Sequence, residues 1–196
     1  MSDKIIDYYL TMNSPWSYMG ARRLKDMAAK VGYKVNVYPT NFAGVFSSTG
    51  GLPLAKRAPE RQAYRLVELK RWADFLQLPI VTEPAHFPAD DKLAAHAVIA
   101  AQVKGLDALS LSLELGRAQW ELEQDYSHME TIAGACSRAG IELTELGNLD
   151  DYAVQFEANT KEAVARGVFG FPSYLVDGEM FWGQDRLDFL ERQLAG

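Results

Sequence analysis

Residues 4–39, KIIDYYLTMNSPWSYMGARRLKDMAAKVGYKVNVYP, contain the pattern that decides the fold. Branched and aromatic residues at the start of this stretch predict a strand over Lys4–Tyr9. Ser14-Pro15 predicts a helix start, because serine caps helices and proline is tolerated at the first helical position. Gly32 predicts the end of that helix, and polar–apolar alternation over Lys34–Tyr38 predicts a second strand. The order strand, helix, strand indicates a βαβ unit with a short crossover.

The middle of the chain has a different character. The stretch Phe42–Leu54 is rich in Gly, Ser and Thr, which predicts a loop. From Pro59 to Glu145 the apolar residues recur at helical spacing, and no strand-like run interrupts them. Within this stretch, Ser127-His128-Met129-Glu130 has the spacing of a capping box. The middle segment is therefore predicted to be helical throughout.

The end of the chain returns to mixed structure. A helix is predicted over residues 149–166, and residues 172–182 read as two strands joined at Asp177-Gly178, a dipeptide typical of tight hairpin turns. Leucines at helical spacing predict a closing amphipathic helix over residues 184–194.

These elements predict an α/β fold in which both ends of the chain share one layered structure. We expect residues 1–45 and 160–196 to form one discontinuous domain and residues 46–159 to form an all-helical insertion.

Composition excludes several classes of function. The chain has 196 residues and a formal net charge of -6, which argues against a nucleic-acid partner. No apolar run approaches the ~20 residues that a membrane span needs, and the N-terminus shows no secretory leader, so we expect a cytoplasmic protein. The single cysteine, Cys136, excludes an internal disulfide and a Cys-x-x-Cys redox pair.

The motif Ser14-Pro15-Trp16-Ser17 stands where the first strand meets the first helix. Unpaired N–H groups and the helix dipole favour negative charge there. In thioredoxin-like folds this place holds two cysteines, because the helix start lowers the pKa of a thiol. Serine does no disulfide exchange, but its hydroxyl can donate a hydrogen bond to the sulfur anion of a ligand. Taken alone, the motif favours a simple helix cap, because Ser-Pro pairs often have that role.

Two further motifs lie near the end of the chain. The Gly-rich turn that ends at Phe171-Pro172 stands directly before a predicted strand, where a cis-proline loop is expected. Such a loop exposes the backbone of the residue before proline to an extended peptide; the alternative is an ordinary loop with a trans proline. Asp185, in the first turn of the last helix, is either a routine cap or a partner for the ammonium group of a zwitterionic ligand.

The order of these motifs resembles one family over essentially the whole chain. It is similar to the DsbA-like branch of the thioredoxin superfamily, specifically to 2-hydroxychromene-2-carboxylate isomerases and kappa-class glutathione transferases. The residues that carry the likeness are listed here: Ser14-Pro15-Trp16-Ser17, Gly167-Val168-Phe169-Gly170-Phe171-Pro172, Gly183-Gln184-Asp185-Arg186, and Trp120 with Asp125. The resemblance implies a thioredoxin-like (DsbA-like) fold with an inserted all-helical domain, and it implies glutathione as cofactor.

The resemblance also implies roles for single residues. Ser14 would hydrogen-bond the glutathione sulfur and thereby be catalytic, Phe171 and Pro172 would hold the cysteinyl part, and Gln184 and Asp185 would hold the γ-glutamyl end. The thiolate would add to a conjugated carbon of a ring-opened chromene, allow rotation about the resulting single bond, and then be eliminated. The implied partners are a small aromatic or electrophilic substrate and a second copy of the chain in a homodimer, without nucleic acid, membrane or metal.

The substrate side departs from the family pattern. Relatives carry Lys-x-x-Gly-Asn after the second strand, whereas this chain has Ser47 and Gly51 at the positions of the lysine and the asparagine. Trp16, Ser47, Gly51 and Arg61 are the candidate substrate-binding residues, and Arg61 is a candidate for binding a ligand carboxylate. Two alternatives to an isomerase stay open: a kappa-like transferase or peroxidase, and a non-catalytic binding module.

Other residues receive plainer interpretations. Cys136 falls at an apolar position of a predicted helix and is expected to be buried and inert. The three histidines are too scattered to indicate a metal site. Two basic clusters, Lys56-Arg57 and Arg65 with Lys70-Arg71, are expected to lie on solvated helix faces.

Overall fold

The computed structural model describes residues 4–195. Residues 1–3 lie outside this range. They belong to the N-terminal stretch from which we expect no secretory leader. Four strands form one sheet: β1 (Ile5–Leu10), β2 (Lys34–Pro39), β3 (Ser173–Val176) and β4 (Glu179–Trp182).

The helices follow the order expected from the sequence, with most of them between β2 and β3. They are α1 (Pro15–Val31), α2 (Phe42–Thr49), α3 (Pro59–Leu76), α4 (Lys92–Val103), α5 (Ala108–Trp120), α6 (Met129–Ala139), α7 (Leu143–Leu146), α8 (Ala153–Ala165) and α9 (Leu187–Ala195). Short 3-10 turns span Leu54–Lys56, Leu149–Tyr152 and Gln184–Arg186. Within residues 4–195 no helix combines the length and the hydropathy needed to cross a bilayer.

The sheet has the strand order β2-β1-β3-β4. β1 pairs with β2 in parallel, and it pairs with β3 antiparallel, so that the N-terminal βαβ unit and the C-terminal hairpin share the central strand. Neighbouring residues of β1 face opposite sides of the sheet: Tyr8 packs in the large core that includes α1, α5 and α9, and Tyr9 packs in a second core with α2 and α8. The sheet is therefore covered by helices on both faces.

The C-terminal end of β1 positions the functional region. After Leu10 the chain turns through Thr11–Asn13 and enters α1, whose backbone starts where β1 and β3 meet. The hairpin turn predicted at Asp177-Gly178 is confirmed, because both residues have positive φ, at 50° and 85°. The helix predicted to stop at Gly32 does so, and Gly32 has the left-handed conformation of a helix C-cap.

Two expectations for the middle segment are wrong. The stretch predicted as a loop from Phe42 contains α2, because Asn41 caps its first turn. The hydroxyl groups of Ser47 and Thr49 are satisfied within the helix by bonding to its carbonyls. The capping box predicted at Ser127 does not form. The Ser127 N–H donates to the Asp125 carboxylate, and α6 begins at Met129 without a side-chain cap.

The predicted domain boundaries fall inside helices of the structure. The boundary between residues 45 and 46 lies within α2, and that between residues 159 and 160 lies within α8. The division into a discontinuous domain and an insertion, as numbered from the sequence, stays a prediction.

Candidate active site

Ser14 lies at the junction of β1 and α1. Its Oγ accepts a hydrogen bond from the Ser17 N–H at 3.2 Å, so that it caps the helix, and it donates to the Phe171 carbonyl at 3.4 Å. The next residue, Pro15, has no N–H, and the Trp16 N–H makes no backbone hydrogen bond within residues 4–195. The helix start therefore offers one free N–H beside a hydroxyl group whose own hydrogen bond to Phe171 is long.

The loop opposite Ser14 contains the expected cis peptide bond, Phe171–Pro172. Two contacts fix the loop: Gly183 N–H donates to the Pro172 carbonyl at 2.9 Å, and the Ser173 hydroxyl donates to the Gly170 carbonyl at 2.8 Å. Among the described residues the Phe171 N–H has no backbone partner. A peptide laid along this loop would find that donor and the neighbouring carbonyl ready to pair in strand fashion.

A cavity of about 370 Å³ opens on one side of Ser14. Its wall is rich in aromatic rings and carries two arginines. The lining residues are Thr11, Asn13, Ser14, Pro15, Trp16, Phe42, Phe46, Pro53, Leu54, Ala55, Arg57, Gln62, Arg65, Phe87, Pro88 and Phe171. Within the described part of the chain this wall contains two cationic side chains and no carboxylate, which suits a planar, negatively charged ligand.

Arg65 is the more enclosed of the two arginines. Its guanidinium lies 5.3 Å from the centre of the Phe87 ring and 5.8 Å from that of Trp120. Burial, and to a smaller extent the charge of Arg57, lowers the pKa of Arg65 to about 10. Among residues 4–195 no carboxylate forms an ion pair with it, and Glu83 acts on it only from a distance. A half-buried cation without an ion-pair partner is a binding group for an anion.

A second, smaller cleft of about 230 Å³ lies between the start of α1, the Phe171 loop and the turn before α9. Trp16 and Phe171 line both spaces, so the two are separated by the same pair of rings. The smaller cleft contains Asp185, whose carboxylate pairs with Arg186 at 2.5 Å. Gln184 also lines the cleft but is only 2% exposed, and its Nε2 has no hydrogen-bond partner among the described residues.

The candidate residues from the sequence are thus only partly brought together. Ser14, Trp16, Phe171, Gln184 and Asp185 surround the two spaces, and Pro172 fixes the loop beside them.

Ser47, Gly51 and Arg61 do not line the cavity. The Ser47 hydroxyl bonds back to the Gly44 carbonyl of α2, and Arg61 is exposed. Arg57 and Arg65, each four positions from Arg61, line the wall instead, so the expectation that both belong to solvated faces is wrong. Lys56, Lys70 and Arg71 are exposed, as expected.

Sequence reasoning missed a second element of the cavity, the loop before α4. It contains another cis peptide bond, Phe87–Pro88, and Asn13 clamps it by accepting from the Ala89 N–H at 3.1 Å and donating to the Ala89 carbonyl at 2.9 Å. The X-Pro dipeptide was the available signal, because it has the same form as Phe171-Pro172. Cys136, in contrast, is fully buried as expected, and burial raises the pKa of its thiol to about 11.

These features define a thioredoxin-fold protein in which serines replace both redox cysteines at the start of the first helix. Residues 5–195 match the profile of the DSBA-like thioredoxin domain, and the chain belongs to that family. The resemblance inferred from the motifs is thereby confirmed.

Curated relatives with similar sequences are named as enzymes. A 2-hydroxychromene-2-carboxylate isomerase of Sphingobium xenophagum is 28% identical, over 97% of this chain and 98% of the relative. Glutathione S-transferase kappa 1 of Rattus norvegicus is 23% identical, over 95% of this chain and 89% of the relative. A solved structure of a 2-hydroxychromene-2-carboxylate isomerase superposes with a TM-score of 0.83 at 23% identity, over 97% of this chain and 94% of that chain, which shows the common fold.

Proposed function

We propose that this protein is a glutathione-dependent isomerase of the 2-hydroxychromene-2-carboxylate isomerase type. The observation that carries the proposal is the position of Ser14, at a helix N-terminus and opposite the Phe171–Pro172 cis peptide bond, with an aromatic, cationic cavity beside it. The names of the relatives support both parts of the proposal, since they include isomerases of this type and a glutathione transferase.

The residues present fit glutathione. The free Phe171 N–H and its carbonyl suit the cysteinyl backbone, and the Asp185 carboxylate in the smaller cleft suits the ammonium group of the γ-glutamyl end. Gln184 contributes to the wall of the same cleft. Glutathione, when bound, supplies the nucleophilic thiolate that this chain has no residue to provide.

Ser14 would stabilise the thiolate. Its Oγ continues to accept the hydrogen bond from the Ser17 N–H. The hydroxyl can rotate away from its long hydrogen bond to the Phe171 carbonyl and donate to the ligand instead. The positive end of the α1 dipole acts in the same direction and favours the anion. Ser14 holds the proton of its hydroxyl throughout; its role is to donate a hydrogen bond.

The substrate would lie in the larger cavity. The rings of Trp16, Phe46 and Phe87 suit an aromatic substrate, and Arg65 suits its carboxylate, with Arg57 as a second cation of the wall. The loss of a lysine at Ser47 and of an asparagine at Gly51 does not remove positive charge from the cavity wall, because α3 and the segment before it supply two arginines.

Calorimetry with glutathione, together with the absorbance of the bound thiolate, tests the proposal. We expect Ser14→Ala to raise the pKa of the bound thiol and to slow turnover by about 10²-fold, the usual cost of one hydrogen-bond donor to a developing anion. Ser17→Ala is the matched control, because the Ser17 hydroxyl is buried and makes no hydrogen bond among the described residues. Equal behaviour of the two variants would sink the assignment of Ser14.

A kappa-like transferase or peroxidase is the second candidate function, and the rat relative favours it. Substrate profiling with glutathione separates the two, because a transferase consumes the thiol and an isomerase does not. Absence of any glutathione binding would instead indicate a binding module without catalysis. We also propose a homodimer in the cytoplasm; analytical ultracentrifugation would check the first part, and a mass consistent with one chain would contradict it.

A further inference from the structure

The carboxyl group of Asp91 lies buried next to the larger cavity. The residue is 8% exposed, and its Oδ2 accepts a hydrogen bond from the Thr11 hydroxyl at 2.8 Å. Thr11 is itself 5% exposed and contributes to the cavity wall together with Ser14. One hydroxyl group therefore connects the carboxyl to the wall of the cavity.

Asp91 has neither of the structural roles that are usual for such a carboxyl group, helix capping and ion pairing. It occupies the N-cap position of α4, but its side chain makes no capping hydrogen bond there. No cation among residues 4–195 forms an ion pair with it: Lys92 pairs with the neighbouring Asp90, at 3.7 Å. A carboxyl that neither caps a helix nor balances a charge, and that is nevertheless kept out of water, is a candidate for a functional role.

The surroundings of Asp91 are acidic or neutral. Burial is the main cause that raises its pKa, and the charge of Asp90 adds to it, whereas the hydrogen bonds from Thr11 and Asn13 act in the opposite direction. On the side of α5 and the turn after it lie Tyr126, a buried phenol without a hydrogen-bond partner among the described residues, and the carboxylate of Asp125. Among the described residues, the charge that acts on Asp91 is therefore that of a second carboxylate, whereas the hydrogen bonds that favour its ionised form come from neutral groups.

The direction of the Thr11 hydrogen bond matters for proton transfer. The hydroxyl donates to Asp91, so the lone pairs of Oγ are free to accept a proton from the cavity side. Ser14 is unsuited to this task, since its Oγ already accepts from Ser17 N–H and its proposed role is to donate. Activation of a thiol beside Ser14 still requires an acceptor for the thiol proton.

We propose that Asp91 is the proton acceptor of this site: its Oδ2 receives a proton from Thr11 Oγ as Thr11 Oγ receives the proton of a thiol bound next to Ser14. One S–H bond and one O–H bond break, and two O–H bonds form, so a thiol and a carboxylate become a thiolate and a carboxylic acid. This inference rests on the proposed function, because the thiol is that of glutathione. It makes Asp91 a positioning and proton-holding residue at a distance from the substrate.

The proton balance of glutathione binding tests the inference. Calorimetry at neutral pH, in buffers with different enthalpies of ionisation, gives the number of protons released to solvent, and ultraviolet absorbance gives the amount of thiolate formed. For the unaltered protein we expect fewer than about half a proton released for each thiolate, since Asp91 retains the rest. Release of one proton for each thiolate would overturn the inference and leave the proposed function standing.

Variants at both residues sharpen the test. Asp91→Asn keeps an acceptor for the Thr11 hydroxyl but cannot take up a proton, and Thr11→Val removes the hydroxyl that connects Asp91 to the cavity. We expect each variant to release about one proton for each thiolate, at the pH where its bound thiol ionises. Thr11→Ser is the matched control and is expected to behave as the unaltered protein does. Proton release in Asp91→Asn equal to that of the unaltered protein would contradict the inference. Absence of binding heat in the unaltered protein would contradict the proposed function itself, and the inference with it.

Discussion

Replacing Arg65 with methionine is expected to weaken binding of a carboxylate substrate while making the free protein more stable. The guanidinium lies beside the contacting rings of Phe87 and Trp120, 5.3 and 5.8 Å from their centres, and among the described residues no carboxylate pairs with it. Methionine keeps much of the apolar contact with the two rings and removes the charge. Binding and stability should therefore change in opposite directions.

The size of the binding effect follows from the hydrogen bond that is lost. A hydrogen bond to a charged group contributes about 1.5–3 kcal/mol, which corresponds to a loss of affinity of roughly 10- to 150-fold. The stability effect has the opposite sign because burial lowers the pKa of Arg65: the charged form is disfavoured in the folded protein, and removing the charge removes that cost.

The assay compares an aromatic carboxylate substrate with its methyl ester. For Arg65→Met we expect a large loss of kcat/KM for the acid, little change for the ester, and a higher Tm without ligand. Lys70→Met is the matched control on the same helix, since Lys70 is exposed and pairs with Asp74 at 3.0 Å, away from both ligand spaces. Equal losses for acid and ester, or a lower Tm, would refute the reasoning.

Two further predictions concern stability. Burial raises the pKa of Asp91 above that of an unfolded carboxyl, so its contribution to stability is present at acidic pH and is lost as the pH rises through the folded pKa. Asp91→Asn should therefore be more stable than the unaltered protein at neutral pH, with a smaller difference near pH ~4. Urea unfolding at both pH values measures this difference, and a difference that does not change with pH would contradict the reasoning. Gly20→Ala should destabilise the protein by about 1–3 kcal/mol through overpacking, because the new methyl group would lie 2.5 Å from the buried Tyr174 hydroxyl. Gly134→Ala should stabilise the protein by up to about 1 kcal/mol, because its methyl group meets only the end of the Arg138 side chain, at 3.4 Å. Thermal unfolding of the two variants checks whether their effects on stability have opposite signs.

The parts of the fold that the sequence predicted correctly have local causes. The Ser14 cap, the Gly32 helix end and the Asp177-Gly178 turn act on their immediate neighbours, and the structure shows these three in place, unlike the capping box at Ser127. The cis peptide bond at Phe171–Pro172 was expected from its place before a strand and is confirmed. α2 was not predicted, because its composition of Gly, Ser and Thr is typical of loops. The contacts that stabilise it as a helix come from the Asn41 cap and from packing on α8.

The cavity itself depends on distant contacts, which local patterns do not show. Periodicity places Arg65 on a face of α3 but does not tell which element covers that face; the structure shows Phe87 and Trp120 there, 22 and 55 positions further along the chain. In the same way, the hydrogen bond that ties Asp91 to the cavity wall comes from Thr11, 80 positions earlier in the chain. Residues that are polar and buried by such contacts are the ones that sequence reasoning assigned to solvent or to caps.

The two spaces beside Ser14 have opposite electrical character, and this sets the direction of a bound peptide. The described wall of the smaller cleft contains the carboxylates of Glu68 and Asp185 and one cationic side chain, Arg186. Arg71 pairs with Glu68 from outside this wall, and the two carboxylates suit an ammonium group. The larger cavity contains arginines and no carboxylate, and therefore repels the same group. A zwitterionic γ-glutamyl end would thus enter the cleft of Asp185, the cysteinyl sulfur would reach Ser14, and the aromatic cavity would stay open for a second, anionic molecule. The arrangement favours chemistry between two ligands over simple binding of one.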